Sequence, residues 1–72
     1  MYGKQIKSMR LFHNLTQVQL SKATKLPQST ISWIENDEGE PNLHHIITLA
    51  DFYGITIDEL IGRDLIKQSH LY

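Results

Sequence analysis

Seventy-two residues with no cysteine and a formal net charge of −1 exclude a disulfide scaffold, a thiolate metal site and a cysteine nucleophile. A chain this short buries only roughly 60% of its unfolded surface, which supports one small domain of marginal stability. The N-terminus carries no apolar signal-like segment, and no run approaches the ~18 apolar residues of a membrane span, so a soluble, cytoplasmic chain without membrane attachment is expected.

In chain order, the first predicted helix runs from about Gly3 to His13, with Ile6 and Met9 three apart and Leu11 or Phe12 extending the stripe. Asn14 tolerates the left-handed conformation that would end it. Thr16-Gln17-Val18-Gln19 reads as a capping box, in which hydroxyl and amide satisfy two orphan donors. The helix it opens runs from Gln17 to about Thr24 and buries Val18 or Leu20, with Ala23. Lys25-Leu26 leaves room only for a tight turn. Pro27 suits the opening of a third helix, because its fixed φ fits there and its missing N–H is not needed.

The third helix continues to about Asn36 and gives way to an acidic loop, Asp37 to Pro41. Asn42 caps a fourth helix over Leu43–Tyr53. Its Leu43, Ile46, Ile47, Leu49, Ala50 and Tyr53 form a broad apolar face, as expected of the central core helix. Gly54 ends it. Thr56-Ile57-Asp58-Glu59 is a second capping box, opening a fifth helix to Ile61 or Gly62. Residues 63–72 form a tail that can extend that helix or fray. The expectation is one all-α, compact five-helix domain over 1–72, with its core in 3–62; strand-like alternation is nearly absent.

Two short helices joined by a turn of about three residues make a helix-turn-helix pattern over roughly Gln17 to Asn36. Charge supports a polyanionic partner. Residues 1–34 hold Lys4, Lys7, Arg10, Lys22 and Lys25 without an acid, whereas all eight acids lie in residues 35–72 beside Arg63 and Lys67. Because electrostatic attraction is screened within about 10 Å at moderate salt, the basic half matters more than the total. On the third helix, Ile31 and Ile34 mark the buried side. Gln28, Ser29, Ser32, Trp33 and Asn36 then form an uncharged outward face. Such side chains read base edges: Gln pairs with adenine, Ser donates or accepts, and an aromatic covers a thymine methyl. Gln28, Ser29, Ser32 and Trp33 are the candidate base contacts. For Trp33, packing against a neighbouring helix is an equally good account.

The chain resembles the lambda-repressor/Cro-like (Xre-type) helix-turn-helix family in Ile6-x-x-Met9-Arg10 and Leu15-Thr16-Gln17-x-x-Leu20. The likeness continues through Ser29-Thr30-Ile31-Ser32-x-Ile34-Glu35, Pro41-x-Leu43, Leu49-Ala50 and Gly54-Ile55-x-Ile57-Asp58-Glu59-Leu60. It covers about residues 3–62. The departures are Ser21, where the family has a small residue; Lys25, where it has a turn glycine; Pro27, in place of a Ser or Thr cap; and Trp33, where basic or polar residues are usual. The resemblance implies a regulator, more often a repressor, that binds a pseudo-palindromic operator in double-stranded DNA as a homodimer. It makes the Gln17 amide the phosphate anchor and Arg10–Glu35 a structural ion pair. Thr16, Asn36, Lys7, Lys22 and Lys25 are further candidates for the DNA backbone.

Leu60, Ile61, Leu65, Ile66 and Leu71 are too many apolar groups for a tail to expose freely. Either they pack locally or they form the homodimer contact. His44 and His45 are adjacent, and with His13 and His70 they lack metal-site spacing; no catalytic constellation or cofactor motif is present either. The alternative to DNA regulation is a protein-interaction module on the same fold: an antitoxin, anti-repressor or regulatory subunit with a protein partner.

Overall fold

A computed structural model describes residues 2–62 of the chain, and these form five α-helices and no strand. They are α1 (Gly3–Phe12), α2 (Gln17–Thr24), α3 (Gln28–Glu35), α4 (Leu43–Tyr53) and α5 (Ile57–Ile61). Local chemistry sets most of the boundaries. Asn14, at φ 57°, turns the chain out of α1. Thr16 and Gln19 make both bonds of their capping box, as do Thr56 and Glu59 at α5. Gly54 at φ 69° and Gly62 at φ 81° close α4 and α5.

One boundary differs from expectation, and another falls where expected but with an unforeseen capping partner. Pro27 stands one residue before α3, in the cap position at ψ 143°, and its carbonyl accepts from the Thr30 and Ile31 N–H groups. At α4, the Asn42 cap is completed by His45, whose Nδ1 accepts the Asn42 N–H. The usual partner in such a box is Glu or Gln, so this pairing had no obvious signature in the sequence.

The helices close into a ring in the spatial order α1, α3, α2, α4, α5 and back to α1. Ile6, Leu20, Leu26, Ile31, Ile34, Ile46, Leu49, Ala50 and Leu60 fill its interior, with Met9, Leu15, Tyr53, Ile55 and Ile61 packed around them. Of the nine residues filling the interior, α4 supplies Ile46, Leu49 and Ala50, more than any other helix. Each short helix turns one narrow stripe inward, so apolar residues off that stripe stay wet. On α4, Leu43 and Ile47 are exposed while Ile46, Leu49 and Ala50 are buried. Val18 and Ala23 are exposed on α2, which buries Leu20 alone. On α1, Leu11 and Phe12 point outward, and the inner stripe passes instead through Gly3, Ile6 and Arg10.

Leu60, expected at a homodimer contact, is 1% exposed and belongs to the core. It cannot meet a partner without unfolding α5 from the ring. Ile61 is half-buried against the same cluster. Leu65, Ile66 and Leu71 lie outside the described residues.

Gly3 explains how closely α1 meets α3. A Cβ there would come within 2.6 Å of the Ile34 and Glu35 carbonyl oxygens. The Gly3 N–H donates to the Asp37 carboxylate at 2.9 Å, so the positive end of α1 faces the negative end of α3.

Candidate nucleic-acid interface

The α2–α3 pair owes its geometry to a three-residue connection, Lys25-Leu26-Pro27. Lys25 adopts the left-handed conformation at φ 64°, and its N–H donates to the Ser21 carbonyl at 2.8 Å. Leu26 drops into the core as the chain reverses. Two hydroxyls brace the turn: Ser21 donates to the Leu26 carbonyl, and Thr24 Oγ1 accepts the Leu26 N–H at 3.3 Å. Ser21 thus has a structural task that a non-hydroxylic small residue could not perform.

Beneath α3, a buried polar cluster ties three helices together. The Arg10 Nε donates to Glu35 Oε2 at 2.7 Å and its Nη2 to Oε1 at 2.9 Å, a fork in which both residues are buried. The Arg10 Nη1 donates to the Leu15 carbonyl at 2.7 Å. Gln17 then donates through Nε2 to Glu35 Oε1 at 3.1 Å, so Glu35 receives α1 and α2 at once. The hydrogen bond from Glu35 pushes the Arg10 pKa up, against the pull of desolvation. Arg10 therefore spends its charge inside the molecule, leaving Lys4, Lys7, Lys22 and Lys25, all exposed, as the surface cations of the first half.

Gln17 is half-buried and its amide is committed on one side to Glu35. What remains for an anion is the second amide hydrogen, together with the Gln17 and Val18 N–H groups, which have no acceptor within the helix. Thr16 is exposed, but its hydroxyl already accepts the Gln19 N–H at 3.1 Å. Lys7 lies on α1, whereas Lys22 is in the last turn of α2 and Lys25 in the α2–α3 connection itself.

The outward face of α3 is brought together as one surface. Gln28, Ser29, Trp33 and Asn36 are exposed and Ser32 is half-buried; the Asn36 amide donates to Ser32 Oγ at 3.3 Å. No acidic or basic side chain interrupts the face, because Glu35, the charged residue of α3, points inward. Trp33 packs on the loop between α3 and α4, not on a neighbouring helix as one expectation had it. Its indole lies so close over Gly39 that a Cβ there would come within 2.1 Å of Cζ2, and yet the residue remains 36% exposed. Its free side borders a shallow concavity of about 400 Å³ shared with Ser29, Thr30 and His45. Neither Thr30 nor His45 was a candidate contact in the sequence, because Thr30 lies off the outward arc of α3 and His45 belongs to α4. Among the described residues no His, Asp or Glu cluster could hold a metal ion, and no helix is long and apolar enough to cross a membrane.

A family model described as helix-turn-helix matches residues 6–60. The immunity repressor protein of Bacillus phage phi105 is 36% identical over 68 residues, covering 93% of this chain and 47% of the relative. The HTH-type transcriptional activator BcrR of Enterococcus faecalis is 33% identical over 66 residues, or 90% of this chain and 32% of the relative. Antitoxin PezA of Streptococcus pneumoniae is 27% identical over 64 residues, with 89% and 40% coverage. The chain thus spans between about a third and a half of the length of these relatives. In fold it is similar to a transcriptional regulator from Listeria innocua, with a TM-score of 0.75 and 22% identity over 99% of this chain and 72% of the other.

Proposed function

The chain belongs to the lambda-repressor/Cro-like (Xre-type) helix-turn-helix family of DNA-binding regulators, and from that premise we propose that residues 3–62 act as a sequence-specific reader of duplex DNA. In this reading α3 lies in the major groove, with Gln28, Ser29, Ser32 and Trp33 at base edges. The single observation that carries it is the uncharged outward face of α3, braced from below by the Arg10–Glu35–Gln17 cluster. A rigid support matters because side chains must meet base edges within a fraction of an ångström to discriminate between them.

Thr16, Gln17, Asn36, Lys7, Lys22 and Lys25 supply the phosphate contacts, which position the domain without reading sequence. The chain acts as a repressor and binds a pseudo-palindromic operator as a homodimer, with its two α3 helices one helical turn, roughly 34 Å, apart. A second reading, a protein-interaction module of the antitoxin type, draws on the relative named Antitoxin PezA and on Phe12, which is 80% exposed on α1. In both readings the domain binds and does no chemistry.

Selection of bound sites from a random duplex pool tests the first reading and yields motif, symmetry and half-site spacing together. Two variants then divide the contacts. Gln28→Ala is expected to change base preference at one position, at about 1–3 kcal/mol of discrimination. Lys22→Ala is expected to weaken all sequences alike and to flatten the salt dependence by about one ion. Trp33 emission in the parent should change with duplex and recover with salt. An unresponsive Trp33 and no gel retardation at low salt would leave the protein-binding reading standing.

A further inference from the structure

His45 is carried by α4, yet it lines the same concavity as Ser29, Thr30 and Trp33 of α3. Its Nδ1 accepts the Asn42 backbone N–H at 3.3 Å, while its own backbone N–H donates to Asn42 Oδ1 at 2.9 Å. A neutral imidazole accepts through its unprotonated nitrogen, so the cap assigns the ring proton to Nε2. The same bond fixes the ring's orientation. His45 therefore offers one oriented N–H donor, half-buried and in a concavity that also borders the face of α3. No acid stands in the first turn of α4 to compete for it.

Resting on the DNA-binding reading, we propose that His45 is a further positioning residue of the interface, whose Nε2–H donates to a phosphate oxygen of the strand bordering α3. The choice of phosphate over base follows from dimensions. The major groove is about 12 Å wide, and an α-helix with its side chains measures about 10–12 Å across. Once α3 occupies the groove, a side chain reaching along its flank from another helix meets the wall, and the wall is sugar and phosphate. A hydrogen bond there sets the angle of α3 and hence which bases Ser29 and Trp33 can reach.

His45 also caps a helix, so the test must separate that role from DNA contact. His45→Gln keeps an acceptor for the Asn42 N–H and retains an amide donor. His45→Glu keeps the acceptor but has no donor and adds a negative charge. His44→Glu, at the adjacent exposed position, controls for added charge alone. Each variant is titrated with mixed-sequence duplex DNA over a range of salt, and each is melted to verify folding. We expect His45→Gln to bind within about twofold of the parent, and His45→Glu to bind at least about tenfold more weakly than His44→Glu, with similar Tm values.

Equal affinity of the two Glu variants overturns the contact, as does an equal loss in His45→Gln and His45→Glu. Either result would leave DNA binding by α3 intact. A second readout uses the parent alone: the His45 side-chain nitrogen shifts, followed by NMR, should move on adding duplex. Shifts that stay fixed while the backbone amides of α3 respond overturn the proposal. If the parent is not retained by duplex at low salt, the DNA-binding reading fails first, and the role of His45 with it.

Discussion

Tyr53 shows how one side chain can be apolar by packing and polar by misfortune. Its ring stacks on His13 with centroids 4.8 Å apart, and its edge meets Phe52. Its hydroxyl, however, is buried without a hydrogen-bond partner among the described residues. Burial, and secondarily the Glu35 charge, push the phenol up to about 12 from 10.0, with Arg10 opposing. A phenol with a higher pKa when folded holds its proton more tightly in the native state. Its contribution to stability is complete below pH 10 and is lost as pH rises towards 12. Tyr53→Phe should therefore match or exceed the parent in thermal stability at neutral pH, because it removes an unsatisfied group rather than a bond. Above pH 10 the parent's Tm should fall more steeply than the variant's; parallel curves would contradict this account of Tyr53.

At the scale of elements, the α2–α3 turn decides how the recognition helix is presented. Lys25 holds φ 64° there, where a side chain costs on the order of 1 kcal/mol relative to glycine. The turn tolerates it because Ser21 and Thr24 bind the chain on both sides of Leu26. Lys25→Gly is expected to stabilise the domain by about 1 kcal/mol, a Tm rise of about 4–8 °C for a chain of this size. The same change removes an exposed cation, so non-specific DNA affinity should fall while stability rises. A loss of stability would mean that the lysine side chain contributes something beyond its backbone conformation. Helix ends elsewhere follow simple grammar: the Thr16 and Thr56 caps, Asn14 and Gly54 were all legible in order, while Gly62 as the stop of α5 was not. The Asn42–His45 cap was not, because histidine is not a usual capping-box acceptor.

For the molecule as a whole, Glu35 is where the ring of helices is held against itself. Through it α1, α2 and α3 share one buried carboxylate. Glu35→Ala would strand the Arg10 guanidinium in the interior, and the expected cost is about 3–5 kcal/mol, a large share of what 72 residues can muster. The double variant Arg10→Met, Glu35→Leu should recover much of that loss in denaturant melts, since an apolar pair leaves no uncompensated charge. A double variant no more stable than Glu35→Ala would show that the pair contributes through geometry, not charge balance. Sequence by itself determined the number of helices, most of their ends and the uncharged face of α3, because caps, turns and helical periodicity are local and operate within four or five residues. It could not decide which apolar residues go inside. Leu11, Phe12, Val18, Leu43 and Ile47 carry the same hydrophobicity as buried neighbours, and only the angles at which five short helices meet expose them. Tertiary structure likewise moved Leu60 from a surface contact to the core. It also set Trp33 against Gly39 and brought His45 beside Ser29. Each of these pairs two separate elements, and burial and partnership across such gaps follow from packing, which no local pattern encodes.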